Sequence, residues 1–437
     1  MRKIITLITV MPILVFSQTT SIPDVDFEQM LINLGYDTGT PDGSILTSSV
    51  NGITSLDVSS ANIDDLTGIE SFTSLKSLYC NNNQLTSLDL SNNLALTILY
   101  CHNNQLTSLD VSNNMNLSEL ECSSNSITSL DVSNNTALTD LYCVNNSITS
   151  LDVSNNIALT NLSCGYNQLT SLDVSNNTAL TGLACGSNPL GGNLDVSTNY
   201  SLSALYCQFN QLTSLDLSNN MNLIELACSY NFLTGLDLSN NLALSTLNCG
   251  FNELTSLDVS NNIGLSELQC GHNQLYALDL STNTALTLLI CNDNQLNCFN
   301  VQNGNNQNLS LFSATNNTSL NCIEVDDVNW STVNWLFIDS QTSFSTNCNY
   351  PSNCFSTTAI KEQTNSINLY PNPTNKLITL DIEGYNGLVN VEVYDLTGKL
   401  LQTTTNTTIS MGEYAKGIYV FKVAYGDIVE KLKVVKD

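Results

Sequence analysis

Between residues 51 and 325 apolar and polar positions recur with a single period. Leu96 to Leu117 reads LTILYCHNNQLTSLDVSNNMNL, and from Leu117 the pattern restarts as LSELECSSNSITSLDVSNNTAL. One Cys marks each turn of the period: Cys80, Cys101, Cys122, Cys143, Cys164, Cys185, Cys207, Cys228, Cys249, Cys270 and Cys291. Every interval is 21 residues except one of 22, between Cys185 and Cys207. The extra residue falls in PLGGN, where Gly191 and Gly192 can absorb a bulge. Each unit holds two segments that alternate with period two. In Leu99-Tyr100-Cys101 the Leu and Cys point one way and the Tyr the other. In Leu109-Asp110-Val111 the Leu and Val point one way and the Asp the other. Such alternation predicts half-buried strands. Tripeptide strands are not stable alone, so the units must stack as coils about 4.8 Å apart, bury one continuous core and complete one another's ladders. The expected fold is mostly β: a solenoid of about eleven 21-residue coils with short parallel strands, capped at both ends and followed by a small C-terminal β-sandwich.

The unit resembles the leucine-rich repeat, LxxLxLxxNxL, with Cys at the third Leu position. It is similar to the subclass in which a second LxxLDL segment is nested in 21 residues. The resemblance spans about residues 51–325 and implies parallel strands and a role in binding other macromolecules.

Several columns run along the stacked coils. The Cys column occupies an inward position that otherwise takes Leu, and reads as packing thiols. Thiols one coil apart also fall inside the disulfide window, whereas no CxxC or zinc spacing is present. Asn stands three residues after each Cys, from Asn83 to Asn294, and a second Asn column runs from Asn93 to Asn283. Both read as structural, because an amide supplies donor and acceptor where strands turn and lose their partners. An outward Asp column includes Asp110, Asp131, Asp152 and Asp173. Local bonds to backbone N–H and Ser/Thr groups are one way to settle these carboxylates. A loosely bound Ca²⁺ or other hard cation is the second, and the only cofactor the sequence suggests. Two aromatic sets lie beside the Cys strand. Tyr79, Tyr100, Tyr142 and Tyr206 precede their Cys, and Tyr166, Phe209, Tyr230, Phe251 and His272 lie two residues after theirs. They are the candidate ligand face, with plain stacking between coils as the alternative.

Composition narrows the classes. Eleven Lys+Arg stand against 39 Asp+Glu, a net charge of −28, which argues against a nucleic-acid partner. Residues 77–360 contain 21 acidic residues and no Lys or Arg. No HExxH, GxxxxGK[ST] or GxSxG motif occurs, and the two His residues, His102 and His272, lie eight coils apart, so no enzyme is expected.

The ends have their own signatures. Residues 1–17, MRKIITLITVMPILVFS, combine a basic start with an apolar run too short to span a membrane, as expected of an export signal. No other run suggests a transmembrane helix. Residues 18–50 form the expected N-terminal cap, with a helix over FEQMLINLGY, Phe27, Met30, Leu31 and Leu34 on one face, and Asp26 as N-cap. Residues 326–355 form the C-terminal cap, where Trp330, Trp335 and Phe337 are expected to close the core. The 15 Cys are an odd number, so in an exported chain at least one thiol is unpaired or bonded to another molecule. Cys298, Cys322, Cys348 and Cys354 are the disulfide candidates, with Cys298–Cys322 and Cys348–Cys354 the expected pairs and other pairings open.

Composition shifts near residue 356, and residues 356–366 read as a linker. Short strand patterns between Gly/Asn turns fill 367–437 and predict the sandwich. This region resembles the C-terminal sorting domain of the type IX secretion system of Gram-negative bacteria. The matching residues are Leu369-Tyr370-Pro371-Asn372-Pro373, Val393 to Lys399 with Gly398, Gly417-Ile418-Tyr419-Val420, and a final basic strand with Lys433. The resemblance implies handling by that secretion machinery, passage across the outer membrane, removal of this domain, and display on the cell surface or release. The function expected from the whole is a secreted surface protein that binds an unknown extracellular protein or glycan, in adhesion or recognition. The alternative is a passive or cation-stabilised surface layer with no specific ligand.

Overall fold

The computed structural model describes residues 18–351, 354–355, 367–370, 372–382, 387–395, 399–425 and 428–436. The export signal, the linker, Pro371 and Gly398 lie outside them. The chain divides into two compact units, the first ending at Phe355 and the second beginning at Ser356.

The first unit is the solenoid. Thirteen three-residue strands, from Ser55–Asp57 to Leu311–Ser313, form one parallel sheet in chain order. Adjacent coils pair in register, with Leu99 opposite Leu120 and Leu120 opposite Leu141. The central residue of each tripeptide, Leu in twelve and Phe312 in the last, points inward. The eleven column cysteines, buried and unbonded, continue that inner wall. Burial pushes their thiols up, to about 12 at Cys80, Cys164, Cys207 and Cys249, so they are protonated apolar groups rather than nucleophiles. Leu56-Asp57-Val58 looks by composition like the nested LDV segment. It lies instead in the main sheet, with Leu56 opposite Leu78. The 22-residue interval is absorbed as expected: Gly191 and Gly192 adopt φ of 63° and 59°, and the register shifts between Gly192 and Asn193.

Most LDV segments do not form ladder strands. In a typical coil the neighbouring backbone makes one bond per step, Gln105 N–H to the Leu85 carbonyl at 2.9 Å. The Asp carboxylate turns back to the chain two residues on. Only at the C-terminal end do such segments pair, as a four-stranded sheet of Ala277–Asp279, Cys298–Asn300, Cys322–Glu324 and Ser343–Ser345.

The two Asn columns supply the turns with partners. In the first, Asn104 Nδ2 donates to the carbonyls of Cys101 and Cys80, both at 3.0 Å, and its Oδ1 accepts from Leu85 N–H at 3.0 Å. Each such amide ties its own coil to the one before. In the second, Asn177 is fully buried and donates to Val153 and Asn156 at 3.0 and 2.9 Å. Asn156 repeats this one coil earlier, to Val132 and Asn135. All ten residues of this column, Asn93 to Asn283, are fully buried, and their Oδ1 atoms have no hydrogen-bond partner.

The caps depart from expectation in three respects. The N-terminal helix is Val25–Asn33, and its N-cap is Asp24, not Asp26. One Asp24 oxygen accepts from Asp26 and Phe27 N–H. The other accepts from Asp64 and Asp65 N–H, so the cap residue also fastens the helix to the first coil. At the other end Trp335 is buried against Phe312, with Trp330 packed edge-on. Phe337 is exposed, because its carbonyl caps Ala314 N–H and its side chain turns outward, while Phe344 packs on Trp335. The disulfides are Cys298–Cys354 and Cys322–Cys348, with Cα atoms 6.0 and 5.8 Å apart, not the pairs expected. The segment around Tyr350 folds back over the strand ends, where the Tyr350 hydroxyl bonds the carbonyls of Phe299 and Cys322. Each strand Cys therefore meets a Cys of this segment instead of its neighbour in the sheet.

The second unit is a β-sandwich of a three-stranded and a four-stranded antiparallel sheet. Val389, Val391 and Val393 alternate inward with Phe421 and Val423 of the paired strand.

Replacing Asn177 by Ala is expected to cost about 1–3 kcal/mol in chemical denaturation, against under about 0.5 kcal/mol for exposed Asn176→Ala. A thiol reagent should modify none of the eleven column cysteines in the native protein and all eleven after unfolding. Rapid native labelling would show that the column is not sealed.

Candidate functional site

The outer face of the main sheet and the loop that follows it carry both aromatic sets. The strand set is half-buried. Tyr79 and Tyr100 meet edge-to-face at 5.2 Å. Tyr100 donates its hydroxyl to Glu119, and Tyr206 to Glu225, each one coil further on. Tyr142 reaches Asp140 on its own strand at 3.4 Å. Their acid partners push the Tyr100 and Tyr206 phenols up, Tyr206 to about 12, and burial, then Asp140, pushes Tyr142 up, so the Tyr–acid pairs are fixed features of the face.

The second set occupies an unusual backbone position. Two residues after each Cys the chain turns through left-handed conformation, with φ of 54–56° at Asn103 and Asn145. Asn tolerates this region and bulky residues do so poorly. Yet Tyr166, Phe209, Tyr230 and Phe251 sit there with φ of 53–58°. The conformation is imposed by the coil: Tyr230 N–H bonds the Gly250 carbonyl and Phe251 N–H the Gly271 carbonyl, at 3.0 and 2.9 Å. Phe209, Tyr230, Phe251 and His272 form a continuous stack, with ring centroids 4.1, 4.0 and 3.9 Å apart and planes within 16°. His272 Nε2 lies 3.4 Å from Asp293 at the end of the stack. Beside the rings runs an open groove of about 310 Å³ floored by Gly250 and Gly271 and edged by Asn248, Gln269 and Asn292. The coils approach closely at its floor, where a Cβ on Gly250 would come within 3.1 Å of the Gly271 carbonyl oxygen.

Tyr166 belongs to the column but has no ring in the next coil, where Ser187 takes the position. It is 61% exposed, against 39% for Phe251 inside the stack. The structure thus brings Phe209, Tyr230, Phe251 and His272 together. Tyr166 and the strand tyrosines lie in other parts of the same broad surface.

The Asp column is settled locally. Asp110, Asp131, Asp152 and Asp173 each accept from the Ser N–H two residues on, at 2.9 Å. That Ser, through its hydroxyl and its N–H, holds each carboxyl below the usual range. Among the described residues no three His, Cys, Asp or Glu side chains converge where a metal could bind.

A further column was legible in the sequence but is not among the expected site residues. The position after seven of the ten buried Asn of the second column holds Leu94, Met115, Ile157, Tyr200, Met221, Leu242 and Ile263, exposed by 57–64%, and after the other three it holds Thr. In a repeat where apolar residues normally face inward, periodicity alone does not set these apart.

In the C-terminal unit Asn372 accepts from Val435 N–H at 2.9 Å and Thr374 pairs with Lys436, so the segment around Asn372 and Pro373 is tied to the last strand. Tyr370 is exposed, whereas Tyr419 is buried and donates to the Ala415 carbonyl. Gly417 opens its strand, and Lys433 lies opposite Val420 on the final one.

Residues 368–437 match the secretion system C-terminal sorting domain family. The functional domain of InlJ from Listeria monocytogenes, described as including a cysteine ladder, superposes with a TM-score of 0.65 at 29% identity, over 96% of this chain and 99% of that one. The chain is a leucine-rich-repeat protein with a type IX secretion sorting domain. The internalin InlF of the same organism is similar at 25% identity and a TM-score of 0.56, over 67% of this chain and 95% of its own. A leucine-rich-repeat protein of Leptospira interrogans shares the fold at 20% identity, with a TM-score of 0.52, 71% of this chain and 89% of its own being covered. No curated protein matches in sequence. The sorting domain marks this leucine-rich-repeat protein as secreted or cell-surface. No helix among the described residues is long and apolar enough to cross a membrane.

Eight carboxyls of the Asp column, Asp89 to Asp237, are held below their ordinary value of 3.8 in the fold. On acidification the unfolded chain takes up these protons first, so their stabilisation is complete above about pH 4 and is lost as pH falls through the depressed values. Replacing Asp131, Asp152 and Asp173 together by Asn should lower stability at pH 7, with the gap to wild type closing as pH falls through the depressed values. A gap independent of pH in denaturant titrations would contradict this assignment.

Proposed function

We propose that the solenoid is a binding protein displayed on the outer surface of a Gram-negative cell, recognising an extracellular protein or glycan through the aromatic face. The carrying observation is the column of bulky rings in left-handed backbone positions. Each costs on the order of 1–2 kcal/mol in conformation, and each stacked pair returns only about 0.5–1.5 kcal/mol. Asn fits the same position without that cost, as at Asn103 and Asn145. Rings kept against a local preference and left 39–61% exposed are what a recognition surface requires and a passive wall does not. The role is binding rather than catalysis: the thiols are sealed and protonated, and the carboxylates repeat without one being singled out by an apolar pocket. Removal of the sorting domain during export belongs to the same proposal. Monotony of the coils, and a span of 284 residues (77–360) without Lys or Arg, favour the second reading of a protective surface layer.

Purified protein should bind a component of a glycan array or of cell-surface extracts. Tyr230→Ala with Phe251→Ala should weaken that binding at least about tenfold without changing the circular dichroism. No binding by the folded protein, with Ca²⁺ present, would leave the surface-layer reading.

A further inference from the structure

The groove beside the ring stack exists because two consecutive coils lack a side chain. The position after the column Cys carries Asn81, His102, Ser123 and Val144 in earlier coils, and Gly250 and Gly271 here. Neither glycine has a positive φ, so backbone conformation does not require it. What the glycines leave is room: about 310 Å³, the volume of roughly ten waters at about 30 Å³ each. That suits one small polar group of a ligand, not a folded surface.

The lining is polar and uncharged. It holds three carboxamides and no Asp, Glu, Lys or Arg. Asn248 and Gln269 stand opposite each other in adjacent coils, and Ile290 follows in the same register. Asn248 Oδ1 accepts from Gly250 N–H at 3.3 Å, which leaves its Nδ2 free. Asn292 Nδ2 is held by Asp293 and by His272 Nε2, which leaves its Oδ1 free over Gly271. Neither end of the Gln269 carboxamide has a partner in the chain. All three residues are half-buried, and none of these free atoms is sealed from solvent, unlike the unpartnered Gln208 Oε1. On the other side the stacked Tyr230, Phe251 and His272 present ring edges, the positive side of the aromatic quadrupole, which suits oxygen atoms.

These features select the ligand. It donates and accepts hydrogen bonds at neighbouring atoms and has an apolar end for Ile290. The 21 acidic groups of residues 77–360, with no Lys or Arg, repel carboxylates and phosphates, and the lining offers a cation no carboxylate. An extended peptide shows amides on one side every 6.7 Å or so, about twice its rise per residue, whereas coils repeat at about 4.8 Å. A peptide along the rod that meets Asn248 therefore misses Gln269. A sugar carries its polar groups around one ring, and an acetamido substituent adds an N–H, a carbonyl and a methyl in one short group.

We propose that the groove binds an N-acetylated sugar, its acetamido N–H and carbonyl paired with the Gln269 carboxamide, its methyl against Ile290 and its hydroxyls on Asn248 Nδ2 and Asn292 Oδ1. This assignment rests on the binding role argued above and names the ligand as a neutral glycan.

The test measures binding of the full chain to short oligosaccharides of N-acetylglucosamine and of N-acetylgalactosamine, each against the equivalent oligosaccharide of glucose or galactose. At least one N-acetylated oligosaccharide should bind about tenfold tighter than its counterpart, which leaves the carboxamide unpaired. Gln269→Leu and Gln269→Ala should each erase that difference without lowering the melting temperature, because Ile290 and Ala227 already hold this position in other coils. Equal binding with and without the acetamido group, or a preference that survives both variants, overturns the assignment. So does tighter binding of a Gly/Ser peptide carrying three glutamines, lost in Gln269→Leu, which would put a protein side chain in the groove. If surface-extract binding is lost in the Tyr230/Phe251 variant but no N-acetylated sugar is preferred, the binding role stands and the sugar assignment falls. If neither surface extracts nor any oligosaccharide binds, both fall.

Discussion

The rest of the structure depends on how buried amides serve the turns between coils. A 21-residue coil leaves carbonyls facing inward wherever a short strand ends, and nothing else inside can reach them. The two Asn columns do so: the first donates to carbonyls of its own coil and the coil before, and the second to two carbonyls of the coil before, at 2.8–3.3 Å. Each amide is therefore at once a turn residue and an inter-coil tie, and the Leu and Cys positions can pack only because these ties fix the coil path. The second column goes further, burying ten Oδ1 acceptors without partners. That is a cost the solenoid bears in exchange for two donors at each turn.

Once the coil path is fixed, surface chemistry is free to vary along it. The left-handed position after each Cys exists because its N–H is claimed by the next coil, whatever side chain stands there. Asn, Ser, Tyr, Phe, His and Asp all occupy it. The backbone supplies the geometry and the side chain the chemistry, so a column can change from amide to ring to gap within three coils while the core stays the same. The Asp column shows the opposite: an identical carboxylate in every coil, each turned onto its own Ser.

Much of the fold is legible in the sequence because periodicity is a long-range signal repeated many times. The coil length, the inward Cys, the bulge at Gly191 and Gly192 and both Asn columns follow from it. What periodicity does not carry is the ends. Asp24 rather than Asp26 caps the helix because its second oxygen serves Asp64 and Asp65, a contact about 40 residues away along the chain. The disulfides follow the return of the segment around Tyr350, not the neighbour relation of the strands. Phe337 faces out because its carbonyl was needed at Ala314. For the site, the sequence lists the aromatic residues but not that stacking hides the faces of four of them, nor that Ser187 interrupts the row. Those facts appear only when the coil spacing and the backbone conformation are known together.

A column written one residue per coil can be edited one coil at a time. Duplication or deletion of a single 21-residue unit slides every later letter of the row by one step and leaves hydrogen bonds and core in register. A gain of one unit between Tyr166 and Phe209 would set these two rings one coil further apart, and a loss would bring them into adjacent coils. Such a chain can change the pattern on its surface by recombination between its own near-identical segments while the core stays in register.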